Sequence, residues 1–60
     1  MKVQSGWLVK IEDIGAPGRI VRVDENGTAA VVEFHFPEGK VEATLPTNII
    51  CSVLSRRVMA

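Results

Sequence analysis

The stretch RIVRVDENGTAAVVEFHF, residues 19–36, decides the fold. Its opening, Arg19 to Val23, is rich in β-branched residues and suits a strand. Its centre, Asp24-Glu25-Asn26-Gly27, holds an Asn-Gly pair, a strong hairpin signal because both residues accept positive φ. Its close, Thr28 to Phe36, alternates: Ala30, Val32, Phe34 and Phe36 share one face, and Ala29, Val31, Glu33 and His35 share the other. The first set is the expected core. The opening strand fits either strict alternation or a bulge that brings Ile20 and Val23 to the same side.

Working outward, Pro37-Glu38-Gly39 predicts a second tight turn, and Lys40 to Leu45 then alternates with Val41, Ala43 and Leu45 inward. Pro46-Thr47-Asn48-Ile49 is too short for an α-helix and suits one 3₁₀ turn, which leaves Ile50 to Leu54 as a last strand. Upstream, Gly6 to Glu12 places Trp7, Val9 and Ile11 on one parity and predicts a first, half-buried strand. Between it and Arg19, Gly15, Pro17 and Gly18 fall within four positions, which reads as a loop. The tail from Ser55 either prolongs the last strand or frays. The expected fold is therefore all-β: five strands with a short 3₁₀ turn before the last, in one domain over 1–60 with its core at about 6–54.

That order of strands and turns resembles the SH3-like small barrels. Within it, Val9-Lys10-Ile11, Gly18-Arg19-Ile20-Val21 and Val31-Val32-Glu33-Phe34 look like the KOW motif of transcription elongation factors and ribosomal proteins, with Gly18 at the motif's glycine. The resemblance implies a nucleic-acid-binding accessory factor in transcription or translation. Lys10, Arg19, Arg22, Arg56 and Arg57 would then meet phosphates, with the loop of Gly15, Pro17 and Gly18 close to the nucleic-acid backbone.

Composition narrows the function. Hydrophobic residues make up 47% of the chain, which argues against a disordered tail. Seven basic and seven acidic side chains cancel, so no net field draws the protein to nucleic acid or an anionic membrane. A single cysteine, Cys51, cannot close an internal disulfide and suggests a reducing, cytoplasmic setting. No apolar run reaches membrane-spanning length and no leader is expected.

Catalysis is not expected. Cys51 and His35 as nucleophile and base would lack an orienting third group and a cleft, and one cysteine with one histidine falls short of a zinc ligand set. No cofactor, metal or small-molecule substrate is predicted. Cys51 is read instead as a small hydrophobe in a strand, and His35 as a solvent-facing neighbour of Glu33. With no tyrosine and both phenylalanines assigned to the core, only Trp7 remains as an aromatic platform. The more informative residues are apolar ones on outward positions: Leu8, Ala29, Val31 and Leu54, with Val58 and Met59. With Trp7, these predict a surface for a protein partner or a second copy of the chain. The favoured reading is a non-catalytic protein-binding adaptor or small accessory subunit, with nucleic-acid binding second.

Overall fold

A computed structural model describes residues 3–56. Five strands form one antiparallel sheet: β1 (Leu8–Ile11), β2 (Gly18–Val23), β3 (Ala29–Phe36), β4 (Gly39–Pro46) and β5 (Ile50–Ser55), with a 3₁₀ turn at Thr47–Ile49. The strand order is β4-β3-β2-β1-β5, so the fifth strand returns to lie beside the first. The ladder stays open, because β4 and β5 are edges with no hydrogen-bonded pairing between them. No helix among the described residues is long and apolar enough to cross a membrane.

The core lies on the inner face and contains Val3, Val9, Ile11, Ile20, Ala30, Val32, Phe34 and Ile50. Trp7, Ile14, Val23, Ala43, Leu45, Ile49 and Val53 pack against it half-buried. Each fully buried side chain among Val9, Ile11, Ile20 and Val32 contributes roughly 1.5–3 kcal/mol of transfer free energy. The ambiguous facing of β2 resolves as a bulge: the register with β3 slips between Ile20 and Arg22, leaving Val21 exposed and turning Val23 to the core side. Val3 joins the core from outside the predicted strands.

Several expectations are corrected. Phe36 and Val41 have the inward parity but are 39% and 51% exposed. The pairing of β2 with β3 ends at Gly18↔Phe34, so the Phe36 end of the β3–β4 hairpin runs on past β2, while Val41, directly opposite Phe34, lies on an edge strand with no paired neighbour on its outer side among the described residues. Phe36 stacks on Phe34 instead, 6.2 Å between ring centroids. Gly18 is not a loop residue: it opens β2 and is buried, and a Cβ there would overlap Val32 Cγ1 and lie 2.9 Å from Phe34 Cε1. In the β2–β3 turn only Gly27 takes positive φ, +74°, while Asn26 does not. Cys51 is exposed, since β5 bulges between its pairs with Lys10 and Ile11.

That turn is held from two sides. Asp24 accepts from Thr28 N at 2.8 Å and from Thr28 Oγ1 at 3.0 Å, and its own N–H donates to Ala29 O. Thr47 of the 3₁₀ turn donates through Oγ1 to Gly27 O at 2.8 Å and through N to Thr28 O at 2.9 Å. The 3₁₀ turn thus anchors the hairpin before the chain swings across to β1, where Glu12 N donates to Ile49 O.

Candidate functional site

Register builds a hollow on the outer face of the sheet. Leu8 lies opposite Arg19 on β2, and Arg19 opposite Glu33 on β3, so three strands set an apolar, a cationic and an anionic side chain in one outward row. His35, two residues beyond Glu33, shares that face because strand side chains repeat with period two. With Pro17 these residues line an open hollow of about 290 Å³.

Its polar groups are oriented. Arg19 Nη1 donates to Gly6 O at 2.6 Å, which fixes the guanidinium and leaves its remaining donors available. His35 Nε2 and Glu33 Oε1 meet at 2.5 Å, a contact that ties the two side chains to each other. The hollow therefore offers Leu8 and Pro17 for apolar contact, a positive group on one side, and a carboxylate–imidazole pair on the other.

A second, smaller hollow of about 100 Å³ lies further along the sheet, lined by Arg22, Asp24, Ala29, Val31 and Thr44 with Val23 and Ala30 beneath. Val31 sits between Arg22 and Thr44 in the register. Asp24 at its rim is exposed. Desolvation is the largest single influence and acts to raise its pKa, but hydrogen bonds from the Thr28 hydroxyl and from the N–H groups of Ala29, Thr28 and Gly27 together outweigh it, so the carboxyl stays below its usual value near 3.8.

The structure brings together some of the predicted residues and separates others. Leu8, Pro17 and Arg19 share the larger hollow; Ala29, Val31 and Arg22 share the smaller. Leu54 stands apart, 54% exposed at a bulge in the β5 edge. Trp7 is half-buried, with one ring face under the Arg56 guanidinium at 5.4 Å. Lys10 is exposed opposite Ser52, and Gly15 stands in the open loop. Arg57, Val58 and Met59 lie outside the described residues. Cys51 and His35 fall on strands separated by β1 and β2. Among the described residues no group of three or more His, Cys, Asp or Glu side chains is placed to hold a metal ion.

Sequence reasoning left Glu33 and His35 out of the site. The signal was present: two polar residues at i and i+2 share one strand face, and the hairpin register sets them against Arg19. Comparison with known protein families, with curated proteins and with solved structures found no match.

Proposed function

We propose that the protein is a non-catalytic binding module that takes an extended segment of a partner protein on the outer face of β1, β2 and β3. The observation that carries this reading is the hollow over Leu8 and Pro17, rimmed by Arg19, Glu33 and His35. An apolar side chain of the partner fills the floor, and flanking polar groups pair with the rim, the division of labour that gives peptide sites affinity and orientation. The finer fold assignment belongs to the same proposal. The antiparallel return of β5 onto β1, immediately after a 3₁₀ turn, supports an SH3-like small barrel akin to the KOW domains.

The basic residues favour this reading over nucleic acid. Arg19 faces Glu33 across the ladder and is bonded to Gly6 O, Arg56 is stacked on Trp7, and Arg22 shares its hollow with Asp24. Cations dispersed among carboxylates make a weak phosphate track.

The test is selection of peptides from a random library, followed by mapping of the tightest one by NMR. Shifts centred on Leu8, Arg19, Glu33 and His35, lost in Leu8→Asp with the fold retained, are expected. Peptides that fail to select, or a low-salt titration with RNA or DNA that shifts Lys10, Arg22 and Arg56 instead, would overturn the proposal.

A further inference from the structure

The two sheet edges are built differently. β5 carries two register slips against β1, at Leu8/Val9 and Lys10/Ile11, and such bulges twist an edge away from further pairing. β4 pairs with β3 without a slip from Ala29↔Pro46 to Phe36↔Gly39, so its outer edge keeps one unbroken register as far as Pro46, which has no N–H to donate. Beside that edge, Phe36 and Val41 expose apolar surface on the inner face.

Glu42 stands directly opposite Glu33, and Lys40 opposite His35, so neither faces an opposite charge on β3. Like charges directly opposed across a ladder are destabilising.

We propose that β4 pairs antiparallel with β4 of a second copy about a two-fold axis at Val41. That register sets Lys40 opposite the second copy's Glu42, twice by symmetry, and brings the two Val41 side chains together. Moving the axis one position either way puts Lys40 on Lys40 or Glu42 on Glu42. Placing it at Ala43 leaves Glu42 opposite Thr44. Only the Val41 register pairs every charge on the strand, and because the contact is isologous it closes as a dimer and does not propagate. β4 lines no part of the outer-face hollow, although Lys40 and Glu42 stand opposite its rim residues His35 and Glu33, and dimerisation is read by sedimentation and cross-linking while the hollow is read by peptide binding, so the two proposals fail distinguishably.

The test uses the full chain in a Cys51→Ser background, which removes the exposed native thiol. Opposed residues of antiparallel strands have Cα atoms about 4.5–5.5 Å apart, within disulfide range. Val41→Cys is therefore expected to cross-link quickly under mild oxidation. Ala43→Cys, whose copies would be about 13 Å apart in this register, is expected to lag.

Sedimentation supplies the second readout. Lys40→Glu and Glu42→Lys should each weaken dimerisation about tenfold or more, and the double reversal should restore it to within about threefold. Glu42→Lys also replaces the Glu33–Glu42 repulsion with an attraction, so at concentrations low enough that parent and variant are both monomeric its thermal midpoint should exceed the parent's although its association is weaker, a combination that misfolding does not produce. A monomer at millimolar concentration, a dimer indifferent to both reversals, or equally fast cross-linking of Ala43→Cys would overturn the proposal.

Discussion

Gly18→Ala is the sharpest stability test, because it adds one methyl group at the tightest place in the core. The new Cβ would overlap Val32 Cγ1 and come within 2.9 Å of Phe34 Cε1 and 3.3 Å of Phe34 Cζ. Val32 is fully buried and Phe34 nearly so, and neither can swing into solvent. Overpacking of this kind costs about 1–3 kcal/mol. The gain from a less flexible unfolded chain, about 0.4–1 kcal/mol, opposes it. With two immobile neighbours the clash belongs near the top of its range, so the net loss is about 2 kcal/mol. A domain of this size holds only about 3–9 kcal/mol in total.

Urea unfolding followed by the fluorescence of Trp7 measures the loss, expected as a midpoint lowered by about 2 M at an m-value near 1 kcal/mol/M. Gly15→Ala is the control: nothing lies within 4 Å of its Cβ position and its φ is not positive, so the variant should be neutral or slightly more stable. Val32→Ala removes the overlapped methyl, so the Gly18→Ala/Val32→Ala pair should lose at least about 1 kcal/mol less than the sum of the single losses. A Gly18→Ala protein with the parent's midpoint, or equal losses at Gly15 and Gly18, would refute the packing argument.

Phe34→Ala should cost about 3–5 kcal/mol and leave much of the protein unfolded by circular dichroism, whereas Phe36→Ala, two residues along the same face, should cost about 1 kcal/mol or less. Asp24 gives the stability an acid-sensitive component. Its native carboxyl is the more acidic, so the unfolded chain binds the proton first. The contribution is complete above the usual value near 3.8 and is lost as pH falls through the lowered native value; Asp24→Asn should flatten this part of a pH-dependent melting curve.

Strand number, turn positions and most of the core could be read from the residues because each rests on local chemistry. Alternation in Ala29 to Phe36 fixes which side chains share a face, and the glycine at 27 fixes a reversal. What periodicity cannot supply is how far a neighbouring strand extends. Phe34 and Phe36 have identical parity, yet β2 covers only the first, because Gly18 is the last residue of β2 to pair with β3. Gly18 itself was open to misreading: a glycine next to a proline and a second glycine looks like loop, and only the opposing Val32 and Phe34 reveal a packing role. The candidate site was half visible for the same reason. Leu8, Pro17 and Arg19 drew notice as outward apolar, loop and basic residues, but their convergence with Glu33 and His35 depends on a three-strand register.

The places where parity and burial disagree are also where the fold is unfinished. In a strand with one buried face, inward parity normally carries apolar residues because a neighbour covers them. β4 keeps that pattern at Val41, Ala43 and Leu45, but burial declines along it, from half-buried Ala43 and Leu45 to exposed Val41. An apolar residue left exposed on the inner face of an edge strand, next to a slip-free edge and a lysine and a glutamate that face no opposite charge directly on β3, is accounted for together with them by one added strand. A separate cause for each would have to explain why the slip-free edge is β4, while β5, whose Leu54 is equally exposed, is bulged twice. The proposed pairing of β4 with a second copy accounts for the edge, the charges and the exposed inner face at once, and the charge-reversal pair tests its register.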